Sequence, residues 1–262
     1  MSAPAAVERP LDARPAPPQV LAGPLAISVL SGVAGYVDTV GFIGLSGLFT
    51  AHVTGNLVTV GSALAWQHGA GAAARLCMLP VFMVAVGLTI VFAGSLRARG
   101  RSSGAILTAL LAAEALALAL FLLVAMRLAP ALRVAPDGWP ILVTGAVGVL
   151  AMGIQNALMR EAISSSAPTT MMTGNVTQFT IDLTRWMFPG RDLAAERDAV
   201  RSQARQRLAR TGGILLGFIA GAALGALAMH YVGFLCLAAP ALVVAALALA
   251  ASRGSDRRAP TS

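Results

Sequence analysis

The sequence predicts an all-α polytopic membrane protein: an internally duplicated bundle of six strong transmembrane helices plus two polar Thr-Gly-Asn-bearing helices, spanning or re-entrant. Three observations predict it: the composition, the length of the apolar segments, and a repeated motif. The 262 residues are 57% hydrophobic and 11% charged, with a mean hydropathy of +0.77. Adding the 27 glycines brings the apolar share to about two-thirds, against about 45–50% in soluble domains. A water-soluble globule of this size has no surface for that much apolar mass. An ordinary soluble enzyme and a disordered chain are both excluded. The formal charge is +8, and all 19 basic residues are arginine. They stand between apolar runs rather than on one face, so no nucleic-acid partner is expected. Cys77 and Cys236 lie in apolar runs without further ligands at metal spacing, and read as small buried hydrophobes. No metal or other cofactor is expected.

Taken in order, residues 1–19 carry five prolines and read as a disordered cytoplasmic tail. Strong spanning candidates follow at 20–45, 76–96, 104–126, 139–160, 211–231 and 234–251. The segments 47–66 and 168–188 are long enough to span but unusually polar. The run Ser164 to Pro168 has the chemistry of a helix start. Residues 191–210 are rich in helix formers and extend the next span. The longest hydrophilic connection, 189–210, leaves no room for a soluble catalytic domain. Gly217, Gly221 and Gly225 recur every fourth residue, either as a face for close helix packing or as a product of composition. Residues 252–262 form a second cytoplasmic tail.

The two polar segments resemble each other. The first contains Thr50, then His52-Val53-Thr54-Gly55-Asn56; the second contains Thr169, then Thr173-Gly174-Asn175. Each follows a span with a polar residue at nearly the same distance, Asp38 in one and Asn156 in the other. Residues 20–126 and 139–251 are therefore read as two membrane repeats. Interrupted segments at corresponding places in two repeats point to a transporter site. An acid at the bilayer centre costs about 2.5–3.5 kcal/mol on insertion scales, so Asp38, Asp182 and Glu114 are functional candidates. Asn175, Gln178 and Asp182 share one helix face at i, i+3 and i+7. That stripe either lines a cavity or glues helices together. His52 reads equally as a proton switch and as a structural hydrogen bonder. The candidate substrate- or ion-binding set is Asp38, His52, Thr54, Asn56, Asn156, Thr173, Asn175, Gln178 and Asp182.

The stretches Gly35-Tyr36-Val37-Asp38, Ala51 to Asn56, Gln155-Asn156-Ala157, Pro168-Thr169-Thr170 and Thr173 to Gln178 resemble the YoaK-like family of uncharacterised bacterial inner-membrane proteins. The resemblance covers almost the whole chain after the tail and implies a multi-pass bacterial membrane protein. It implies no substrate.

With six spans and the N-terminus inside, sixteen arginines lie inside and three outside. With eight spans the split is fifteen to four, so the count leaves the two topologies open. Both place the termini and the 185–210 loop in the cytoplasm. Six spans would make the repeats inverted, with half-membrane helices meeting near the midplane; eight would make them parallel. Three functions compete: a small-molecule or ion transporter or channel, a non-transporting accessory protein, and an intramembrane hydrolase using Ser46 and His52. The hydrolase is the weakest, because i and i+6 do not face each other on a helix; no enzymatic activity is expected. The expected partners are the lipid bilayer and an unidentified small solute or ion, and the composition allows a homo-oligomer.

Overall fold

The computed structural model describes residues 23–65, 71–134, 138–162, 172–188 and 194–256. The N-terminal tail, His68, the Ser164–Pro168 helix start, Thr169, Thr170 and the last residues of the C-terminal tail lie outside these. The described residues form only helices and their connections: α1 (Pro24–Gly44), α2 (Val53–Ala65), α3 (Ala72–Ala98), α4 (Ser103–Val134), α5 (Trp139–Ala162), α6 (Met172–Met187), α7 (Ala194–Val232), a 3-10 turn (Gly233–Leu237) and α8 (Ala238–Asp256). Among the described residues, five stretches are long and apolar enough to cross a membrane. The last of them, Asp198–Gly254, is 57 residues long and is broken at Gly233, whose φ of +58° suits glycine. It therefore supplies two passes, α7 and α8, and the apolar passes number six.

Their surfaces are inverted relative to a soluble bundle. Large apolar side chains such as Met83, Leu88, Leu120, Leu123, Leu216, Leu224 and Leu249 point outward, whereas Asp38, Asn56, Glu114, Gln155, Asn175 and Asp182 are buried. Outward apolar belts and inward polar groups are what a hydrocarbon solvent selects.

The direction of each helix follows from its contacts. Ser28 meets Gly213, Gly32 meets Gly217 and Gly221, and Tyr36 meets Gly225, so α1 and α7 run parallel. A Cβ at Gly217 or Gly221 would overlap the carbonyl oxygen of Ser28 or Gly32; the glycine face is thus a packing surface. The Ser31 hydroxyl adds a 2.8 Å bond to the Ile214 carbonyl. Arg75, at the start of α3, donates to the Ser46 carbonyl just beyond the end of α1. Arg97 and Glu161, at the ends of α3 and α5, form an ion pair at 3.1 Å. Hence α3 and α5 both run from the far end of the bundle back to the end where α1 begins, the near end. Helices α4 and α8 complete the set, packed on each other and α4 also on α5.

The two polar helices do not cross. At 1.5 Å per residue, the 13 residues of α2 span about 20 Å and the 16 of α6 about 24 Å, short of a core of about 30 Å. The chain leaves α1 at the far end, folds inward to Asp38, and α2 returns to the far end where α3 starts. Helix α6 lies antiparallel to α7, with Phe179 beside Gly212, Asp182 beside Arg207 and Trp186 beside Arg201. It begins at mid-height and ends at the near end. The segment 47–66, long enough from sequence for a full span, includes a non-helical entry up to His52; what the described residues leave helical in each polar segment is half-length.

Two boundaries also differ from the expectation. The span at 104–126 continues through Pro130 to Val134. Proline there costs one helical hydrogen bond, but Leu132 is buried against the core. The extension over 191–210 is found from Ala194, continuous with α7.

Candidate functional site

Asp38 is positioned two turns before the end of α1 and receives the chain as it re-enters. Its Oδ1 accepts from the backbone N–H of Thr50 at 2.8 Å and of Ala51 at 2.6 Å. The His52 N–H and the Thr50 hydroxyl make longer contacts of 3.4 Å to the same oxygen. Oδ2 lies 2.7 Å from His52 Nδ1. The carboxylate therefore sits at the positive N-terminal end of α2, where a negative charge is favoured, and orients the imidazole. Asn56 closes the same turn: its Oδ1 accepts from Phe49 N–H at 2.9 Å and its Nδ2 donates to the Phe49 carbonyl at 2.8 Å. Both residues are tied into building the half-helix.

The start of α2 separates two cavities. One, of about 630 Å³, lies toward the far end between Asp38, Phe42, Phe49, His52, Thr54 and Phe218. The other, of about 440 Å³, lies toward the near end. It holds His52, Val53 and Thr54 from the start of α2, Met172, Thr173 and Gly174 from the start of α6, and Asn156 and Arg160 from α5, with Leu79, Phe82 and Val86 of α3 as an apolar wall. His52 and Thr54 line both cavities. Helix starts present N–H groups without intrahelical partners, and here two such starts face one space. Their amides, two threonine hydroxyls and the Arg160 guanidinium can donate hydrogen bonds to a small solute.

Of the nine candidates, His52, Thr54, Asn156 and Thr173 thus meet in the near cavity, while Asp38 lines the far one. Asn175, Gln178 and Asp182 do not join them. Gln178 donates to Asp182 at 2.8 Å, and Asp182 Oδ1 faces Arg207 on α7 at 3.5 Å. Asp182 thus ties α6 to α7, and Gln178 bonds to it within α6. Asn156 also donates to the Met152 carbonyl within α5 at 2.9 Å. Arg160, Phe82 and Phe218 are site residues that the sequence reading missed; each looks like an ordinary helix-end charge or apolar face. Among the described residues no hydrogen bond joins the Ser46 hydroxyl to His52, so the two are not paired in this structure.

The sequence pattern of a family described as "Protein of unknown function (DUF1275)" matches residues 26–250, from the first turn of α1 into α8. The chain belongs to this family. No curated protein matches it, and no solved structure does. Membership of DUF1275 brings no activity with it.

Proposed function

We propose that this DUF1275 protein is a small-solute transporter whose binding site is the space where the N-termini of α2 and α6 meet. The observation that carries this reading is the near cavity, lined by the first turns of both half-length helices. The finer resemblance to the YoaK-like proteins rests on the motifs alone and adds no substrate.

The duplication gives the site its logic. Reading residues 20–126 and 139–251 as two copies pairs α1 with α5, α2 with α6, α3 with α7 and α4 with α8. The helix packing respects that exchange: α1 packs on α7 as α5 packs on α3, α2 on α3 as α6 on α7, and α4 on α8. Gly35 lies against Phe218, and its counterpart Gly153 against Phe82. Because α1 and α5 run in opposite directions, the copies are inverted. Each cavity then has one aromatic of this pair and one polar residue of the other, Asp38 with Phe218 on the far side and Asn156 with Phe82 on the near side. Inverted repeats around a midplane site are the architecture of alternating access. With eleven of the fourteen arginines among the described residues on the near side, that side is read as cytoplasmic, in the bacterial inner membrane. The protein is read as a carrier rather than an enzyme.

The test is flux in liposomes holding the purified protein, across a panel of small anions, cations and neutral polar solutes. Movement of at least one solute class is expected, falling at least tenfold in Thr54→Val and in Thr173→Val. Flux of every solute equal to that of empty liposomes would contradict the proposal.

A further inference from the structure

Glu114 is fully buried in α4, and neither carboxyl oxygen has a hydrogen-bond partner among the described residues. In this it differs from Asp38, whose carboxylate is held by backbone amides. Glu114 stands eleven residues into α4, about 17 Å along the helix, near the middle of a hydrocarbon core of about 30 Å. The packed helices supply no charge at that height. Trp139–Met159 of α5 and Ala238–Ser252 of α8 contain no charged or titratable side chain. The charges of α3, Arg75 and Arg97, are at its ends, and its Cys77 is exposed; the 3-10 turn offers only the Cys236 thiol.

Helix register places an amide at the height of Glu114. Helices α4 and α5 are antiparallel, with the Phe121 ring against Gly148. Moving seven residues along each helix, two turns on the same face, brings Glu114 to the height of Gln155. Gln155 is fully buried, and its Nε2 donates to the Leu30 carbonyl of α1 at 2.7 Å. Asn156, next in the chain, lines the near cavity.

We infer that Glu114 is a proton-binding site through which a proton gradient drives the transporter. This rests on the transport reading above. A carboxylate without a partner in hydrocarbon is the costly form, so the state described here holds the neutral acid. Release breaks the O–H bond, sends the proton to water and leaves a carboxylate that requires a donor. The Gln155 amide is the donor at that height, and recruiting it takes Nε2 from the Leu30 carbonyl. Reprotonation returns the amide. The α1–α5 contact thereby acquires two arrangements set by one proton, and α1 carries Asp38, which anchors the start of α2.

Infrared spectroscopy of the protein in lipid nanodiscs tests the site without any solute. The protonated-carboxyl C=O band is expected in the wild type at neutral pH, absent in Glu114→Gln, and lost as the pH is raised. In Gln155→Met the band should remain and its loss should move to higher pH, because the carboxylate has lost its donor. Identical wild-type and Glu114→Gln spectra, or a Gln155→Met midpoint equal to wild type, would overturn the assignment. A second measurement asks about coupling. An imposed pH gradient should accelerate solute flux in wild-type liposomes and have no effect in Glu114→Gln; equal responses in the two would overturn it. A Glu114 band in a protein that moves no solute would keep the proton site and sink the transport reading, so the two failures are distinguishable.

Discussion

Asp38 shows what a single buried acid can do when the backbone supplies its partners. It accepts from two amides at 2.6–2.8 Å and holds the His52 ring. Asp38→Ala leaves those donors unsatisfied in a buried place and should cost roughly 3 kcal/mol, read as a lowered unfolding temperature in detergent. Asp38→Asn keeps one acceptor oxygen and should cost less, while still reducing flux. The importance of Asp38 was legible in the sequence, because an acid inside a span needs compensation. Its partners were not, because backbone amides carry no residue signature. The same limit hid Arg160 and Phe82. Conversely, the Asn175–Gln178–Asp182 face was legible as a stripe, but the pairing of Asp182 with Arg207 on α7 was not, because the two belong to different helices.

At the level of elements, close packing between α1 and α7 is set by glycine. Gly221→Val would drive its side chain into the Gly32 backbone. Overpacking of this kind costs about 1–3 kcal/mol, and more where only backbone stands in the way. Gly87→Ala meets no neighbouring atom and should be neutral or stabilising by about 1 kcal/mol; thermal unfolding of the two variants checks both. The half-length of α2 and α6 gives a second expectation. With Cys77 and Cys236 replaced, cysteines at Ser102 and Ser202 should lie on the same side, both protected in whole cells from an impermeant thiol reagent. Labelling of Ser102 alone would require α2 to cross. The sequence carries the spacing and polarity of these segments but not their helical limits. For α2 they depend on Asp38 and Asn56 capturing the entering chain, contacts to backbone that no residue pattern encodes.

For the whole molecule, six passes place the start of α1 and the end of α8 at the near end, with the arginine-rich start of α7. Fluorescent-protein fusions at either terminus should therefore fluoresce in cells, and alkaline phosphatase fusions at the same points should be inactive. The membrane class was legible from composition alone. The directions of the helices were not, since the arginine count fits both topologies; the pairs Arg75–Ser46 and Arg97–Glu161 fix them for α3 and α5.

The central claim is that the two half-helices, 119 positions apart at Thr54 and Thr173, start in one shared space. A cysteine-free protein carrying Thr54→Cys and Thr173→Cys, treated in membranes with a short membrane-permeant bis-maleimide, tests it directly. The account predicts an intramolecular bridge between the two cysteines, detected by mass spectrometry of the linked peptides. Reaction of both cysteines with monofunctional maleimide but no bridge between them would contradict it.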